Sequence, residues 1–316
     1  MSKITKRQIG VWITIIVLVS TAFGGGYILA GGSVDDGAAA TIGSITVIDG
    51  EGRTVTLVAV PNRIIALTPG YAETLYAINC GDNIIAVDNT TAQKGYPLEV
   101  RNKTTVGKAS SPSLESIVDL DPDLIIAYPY SRTALSSLES NTAVYYVAYE
   151  KSFEDVIDGI RIAGFLTNHT SDANEVVSYI LSKIEMITNK TGNLNKTMRP
   201  LVYYETSSTA GRCAGFDTLG NDLIYKAGGI NIAADEPVSY PTLNNEYIID
   251  RDPDVILISW YGQSMEDVKN RPGWDTTSAV KDNSVYKQSD ISGVGPRAWM
   301  VLEELANWLH PELFEA

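Results

Sequence analysis

One segment of this chain is written twice. Residues 115–126 (ESIVDLDPDLII) recur as residues 246–257 (EYIIDRDPDVIL). Each copy reads as a short helix running into Asp-Pro-Asp and then an apolar strand. Proline stops the helix because it cannot donate the next backbone hydrogen bond. The apolar run does not alternate, so it predicts a parallel strand covered on both faces. A second pair repeats in the same order. Leu75-Tyr76 followed by residues 83–88 matches Ile224-Tyr225 followed by residues 231–235, through turns at Gly81 and at Gly228-Gly229. Helix, strand, helix, strand in each half implies an α/β fold, with two lobes of parallel-sheet, Rossmann-like topology built by duplication. The aspartates tempt a calcium reading. They lack the central Gly and terminal Glu of a calcium loop, so they are expected to cap and terminate structure.

Two helices are expected between the halves. Residues 153–166 are amphipathic through Phe153, Val156, Ile157, Ile160 and Phe165. Residues 172–189 follow, capped by Ser171 or Asp172, with Val176, Val177, Ile180, Leu181, Ile184 and Ile187 at helical spacing. A single stiff helix joining two lobes would permit only small hinge motion. The expected division is a transmembrane or signal-anchor segment (1–30), a linker (31–43), an N-terminal lobe (44–150), a helical segment with the bridge (151–197) and a C-terminal lobe (198–316).

Ligands of open parallel sheets bind beyond the carboxyl ends of the strands. Strand 64–67 leads to Thr68 and Tyr71, and strand 124–127 leads to Tyr128, Tyr130 and Arg132. Strand 201–204 leads to Glu205 and on to Arg212, and strand 255–258 leads to Ser259, Trp260 and Tyr261. The aromatics could close on a large flat ligand from both sides. Arg132, Arg212 and Arg297 would supply donors to anionic groups. One member of each pair Tyr145-Tyr146 and Tyr203-Tyr204 is expected to face a core.

The formal net charge of -14, with no basic stretch after the N-terminus, argues against a nucleic-acid partner. Cys80 and Cys213 occupy non-equivalent places in the repeat, so a disulfide between them is not expected. His169 and His310 are far apart and are assigned to turns or helix ends, not to a metal site. No nucleophile–histidine–acid arrangement can be assembled, so no enzyme is expected. Lys3, Lys6 and Arg7 precede an uncharged stretch from residue 8 to residue 32. About 22 of those residues at about 1.5 Å each reach roughly 33 Å, enough to cross a bilayer with the remainder outside. The alternative is a signal peptide cleaved at Ala30-Gly31. Five Asn-x-Thr sequons, at Asn89, Asn102, Asn168, Asn189 and Asn195, fit an exported surface.

From residue 45 to residue 314 the sequence resembles the binding proteins of iron-siderophore and cobalamin ABC importers. The landmarks are Arg63 to Thr68 with Glu73; Ser113-Leu-Glu115 through Pro122-Asp123; and Phe153-Glu-Asp through Gly164. Then come Lys226-Ala-Gly-Gly229 with Asn231; Pro253-Asp254; Trp274 with residues 279–286; Gly295-Pro-Arg297; and residues 305–314. The resemblance implies two lobes bridged by a long helix. It also implies a ferric siderophore-type chelate as ligand, delivered to an ABC permease dimer with its ATPase. Cobalamin or another corrinoid is the main alternative ligand and haem the third; a surface sensor or adhesion module would reuse the fold. The same resemblance assigns Glu73 and Asp222, one per lobe, to pairing with permease arginines. No cofactor is expected, and the protein is read as a monomer.

Overall fold

The structure is a computed structural model that describes residues 14–15, 28–31, 44–289 and 294–314. Two parallel sheets organise it. The N-terminal sheet runs Ala143–Tyr146, Leu124–Ala127, Ile64–Ala66, Ile84–Val87, Thr104–Thr105. The C-terminal sheet runs Ile230–Asn231, Leu201–Glu205, Val255–Ile258, Val285–Lys287. The copied strands Leu124–Ala127 and Val255–Ile258 hold equivalent places. Each lies beside the first strand of its sheet, and every residue of both is buried. This is the duplicated α/β architecture that the repeat implies.

The repeated aspartates tie each copied strand to its neighbour. Asp123 accepts the backbone N–H groups of Asn62 (2.9 Å) and Arg63 (3.0 Å), at the entry to the first strand. Asp254 does the same for Leu201 (2.7 Å). Asp121 and Asp252 turn the chain in left-handed conformations, φ 44° and 45°, which aspartate tolerates better than most residues. The second pair of repeats is less regular. Strand Ile230–Asn231 is short because the Asn231 side chain accepts the Ala233 N–H (3.0 Å) and donates to the Ala214 carbonyl (2.9 Å), drawing the chain into a turn.

All four tyrosines of the two pairs are buried, on alternate faces of sheets that are covered on both sides. One apolar cluster runs unbroken from Ile64 and Leu124 through the connecting helices to Val202 and Leu257. Two smaller clusters fill the outer faces, one per sheet.

Helix Phe153–Leu166 starts in a capping box formed by Ser152 and Asp155. Helix Thr170–Thr191 is longer than expected, about 33 Å at 1.5 Å per residue. Neither Ser171 nor Asp172 caps it: both lie inside the first turn, and Asp172 accepts from Asn79 of the N-terminal lobe (2.7 Å). At the far end, Thr191 donates to the Lys226 carbonyl of the C-terminal lobe (2.6 Å). The helix therefore spans both lobes, as the sequence implies. His169 precedes it, with Nδ1 2.7 Å from the Thr167 carbonyl, and His310 follows helix Ala298–Leu309, with Nε2 3.1 Å from the Gly228 carbonyl. Cys80 and Cys213 are buried free thiols.

An antiparallel hairpin, Ile45–Ile48 with Thr54–Leu57, flanks the N-terminal sheet, its turn held by Asp49, which accepts from Glu51 and Arg53. Thr14–Ile15 and Ile28–Gly31 extend that hairpin as strands. These residues were expected in a membrane-spanning helix; most of that segment and of the linker lies outside the described residues. Among the described residues no helix is long and apolar enough to cross a membrane.

Candidate functional site

A cleft of about 420 Å³ opens between the lobes at the carboxyl ends of both sheets. Tyr128, Tyr149 and Glu150 line it from the N-terminal lobe. The C-terminal lobe supplies Tyr204, Arg212, Tyr240, Ser259, Trp260, Tyr261 and Gln288. Tyrosine rings make the N-terminal wall. Tyr149 stacks on Tyr128 with centroids 5.4 Å apart and planes 9° apart, and Tyr130 stacks against Tyr128 at 5.8 Å. The opposite wall is Trp260 against Tyr261, 3.9 Å between centroids. Lys94 reaches across from the N-terminal lobe to sit 4.7 Å above the Trp260 ring.

The floor is polar and ordered. Tyr128 donates its hydroxyl to Glu150, 3.0 Å from Oε2. Burial pushes the Glu150 carboxyl up to about 7, although the Tyr128 hydrogen bond opposes the shift. Burial, and then the nearby Glu150, hold the Tyr128 phenol well above its ordinary value. Tyr261 is pushed up to about 12 by burial, with Tyr130 and Asp88 of the facing lobe adding to the shift. The phenols are thus hydrogen-bond donors at neutral pH. Tyr204 donates to Gln288 (2.7 Å). The Ser259 hydroxyl is buried in the floor with no partner among the described residues.

The loop carrying Arg212 is pinned from below. Glu205 is fully buried and gripped by both Arg271 guanidinium nitrogens at 2.7 Å. It also accepts from Tyr203 (2.9 Å) and from the Gly211 N–H (3.1 Å). Gly211 has φ +82°, and a Cβ there would meet the Leu243 carbonyl at 2.2 Å. Only glycine fits this close approach.

The strand-end rule therefore brings Tyr128, Arg212, Trp260 and Tyr261 to one cavity, with Tyr130 at its rim. Three other residues assigned to the ligand lie elsewhere. Tyr71 sits in the first turn of helix Pro69–Ala77, which Thr68 caps, and its ring is drawn into the core beside Tyr145. Arg132 turns to the outer flank, 3.1 Å from Glu51 and 3.9 Å from Glu139. Arg297 is committed to Glu73 and lies over the Tyr96 ring (3.8 Å). Glu73 is accordingly buried, not offered to solvent, and burial raises its pKa against the opposing effect of Arg297. Asp222 accepts the Phe153 N–H (2.9 Å) and the Lys226 ammonium (3.0 Å), joining its helix to the connecting one. Tyr149, Glu150, Tyr204, Tyr240 and Gln288 were not foreseen as lining residues.

Comparison with known proteins agrees with this architecture. Residues 64–290 match the family described as periplasmic binding protein. The uncharacterized ABC transporter substrate-binding lipoprotein YvrC of Bacillus subtilis is 28% identical, over 86% of this chain and 87% of its own. A cobalamin-binding protein of Halobacterium salinarum is 28% identical over 84% of this chain and 74% of its own. A solved structure from Staphylococcus epidermidis, described as a possible iron-binding (periplasmic solute-binding) protein, superposes with a TM-score of 0.68. It is 28% identical, covering 79% of this chain and 99% of the other. The cleft, the bridging helix and these matches converge: the chain belongs to the periplasmic binding protein family, the extracytoplasmic, non-enzymatic solute-binding components of ABC importers.

Proposed function

We propose that the cleft binds a corrinoid of the cobalamin type and hands it to an ABC permease. The carrying observation is the pair of aromatic walls with little fixed charge between them. Among the described residues, the lining holds Arg212 and the Glu150 carboxyl, with Lys94 over the Trp260 ring at its edge. Aromatic rings favour a large flat ligand, and phenol donors suit its amide-bearing edge. A corrinoid is such a ligand, electrically balanced by its metal centre and its phosphodiester. It is larger than the cavity, so its edge would enter while the rest lies over Tyr130, Tyr149 and Tyr261, which are 52%, 55% and 53% exposed. The name of the Halobacterium salinarum relative supports the same class.

A ferric siderophore chelate, favoured on sequence, is the second reading. Arg212 and the description of the Staphylococcus epidermidis protein support it. Multiply anionic chelates would call for more cations than the lining offers. Fluorescence-quenching titration of the full chain with cobalamin, ferric chelates and haem tests the choice. Quenching by cobalamin alone is the expected result, and saturation by a ferric chelate without a cobalamin response would replace the first reading with the second.

We further read residues 1–30 as a membrane anchor, which would do for this chain what a lipid does for a lipoprotein such as the one in Bacillus subtilis. Glu73 and Asp222 we read as structural carboxylates, because each is already satisfied inside the chain.

A further inference from the structure

The following rests on the reading of the cleft as the substrate site. Among the described residues that line it, one guanidinium and one carboxyl group stand on opposite lobes. Glu150 lies beyond the end of strand Ala143–Tyr146 and accepts from Tyr128. Arg212 lies on the loop after strand Leu201–Glu205. Its guanidinium meets no carboxylate among the described residues and rests 5.8 Å from the centre of the Tyr240 ring.

The backbone beneath Arg212 is fixed on every side. Its N–H donates to the Thr209 carbonyl (3.2 Å), and the Leu243 N–H donates to Gly211 (3.0 Å). An isolated β-bridge joins Arg212 to Thr242. The buried Glu205 carboxylate holds Gly211. A cation on so firmly held a backbone, with its side-chain donors unused among the described residues, is placed for a partner that arrives from outside. Tyr240 lies near both groups. The partnerless Ser259 hydroxyl, 5% exposed, belongs to the same cavity. A buried hydroxyl without a partner is costly unless a ligand completes it.

We propose that Arg212 and Glu150 are the specificity residues that fix the ligand's orientation. An oxyanion edge would meet Arg212, an amide or amine edge would meet Glu150, and Ser259 would supply a hydrogen bond in the floor. A ligand entering the other way round would set its oxyanion against the Glu150 carboxylate and its donors against a guanidinium. Both arrangements are repulsive, so discrimination comes as much from the wrong pose as from the right one.

The test is equilibrium titration of the full chain and its variants with cobalamin and with cobinamide, which lacks the phosphodiester. Arg212→Gln is expected to weaken cobalamin tenfold or more and cobinamide less than twofold, and Arg212→Lys to recover part of the loss. Glu150→Gln is expected to weaken both corrinoids alike, because both carry the amide edge. An anionic ferric tricatecholate and a neutral ferric trihydroxamate are run beside them. Binding confined to the chelates, with the Arg212→Gln loss confined to the anionic one, sinks the corrinoid reading and keeps the orientation assignment. Equal loss on charged and uncharged members of whichever pair binds, or no loss on either, overturns the assignment. If none of the four binds the wild-type protein, the reading of the cleft and the assignment fall together.

Discussion

Arg297 of the C-terminal lobe grips Glu73 of the N-terminal lobe in a bidentate pair, Nε to Oε1 at 2.9 Å and Nη2 to Oε2 at 2.8 Å. The Arg297 backbone N–H adds a third bond to Oε1 (3.1 Å). The contact is possible because Gly70 and Gly295 let the chain before Arg297 lie against the helix that bears Glu73. A Cβ on Gly70 would stand 2.8 Å from the Val294 carbonyl oxygen. The pair is therefore a clasp between lobes.

Removing one half of a buried pair strands the other. Glu73→Ala should lower stability by about 3 kcal/mol, since truncating one partner of a buried ion pair costs roughly 3–5 kcal/mol and Arg297 keeps some access to water. The double change Glu73→Ala, Arg297→Ala should cost less than the two single changes together. Urea unfolding of the four proteins measures both; a Glu73→Ala loss below about 0.5 kcal/mol would refute the clasp.

Glu150 should make stability fall as pH rises toward neutrality. Its folded-state pKa is raised to about 7, so the folded protein keeps this proton at pH values where the unfolded chain has lost it. That contribution is complete below the ordinary carboxyl value and disappears as pH rises through about 7. Unfolding midpoints at pH 5 and pH 8 should therefore separate less in Glu150→Gln than in the wild type. An identical separation would rule out the raised value.

Arg271→Ala leaves Glu205 buried without its ion-pair partner, with only Tyr203 and the Gly211 N–H as neutral partners. A stability loss of about 3–5 kcal/mol is expected. Ligand affinity should also fall, because Glu205 anchors the loop that presents Arg212. Thermal melting and titration on the same preparation separate the two effects, and unchanged melting would contradict the buried pair.

Trp260 is the largest ring of the C-terminal wall. Trp260→Ala should reduce affinity for the ligand by at least tenfold, with the melting temperature little changed, because the ring stacks on Tyr261 and not in the core. Affinity within twofold of the wild type would remove the aromatic wall from the binding account.

Most of the fold was legible in the repeat. The two copies of Asp-Pro-Asp predicted both central strands, and the non-alternating apolar runs predicted sheets covered on both faces. The candidate cleft was legible where the strand-end rule was applied, at Tyr128, Arg212, Trp260 and Tyr261. Tyr149, Glu150 and Gln288 follow strands Ala143–Tyr146 and Val285–Lys287, so the same rule taken to every strand would have reached them. Tyr240 lies in an irregular segment between short elements, where no periodicity marks a direction. Tyr71 and Arg132 obeyed the rule in sequence but not in space, and Arg297 was assigned without it, as a donor to anionic groups. A capped helix pulls Tyr71 inward, and nearby carboxylates claim the two arginines. Such partners come from residues as distant as Glu51 or Glu73, and spacing along the chain does not reveal them.

The apolar cluster that passes from one sheet to the other without a break has a thermodynamic corollary. Neither lobe can melt and leave its partner intact, because half of the shared interior would then face water. Heating should yield a single calorimetric peak whose measured enthalpy equals the van't Hoff value, the behaviour of one cooperative unit in spite of two sheets.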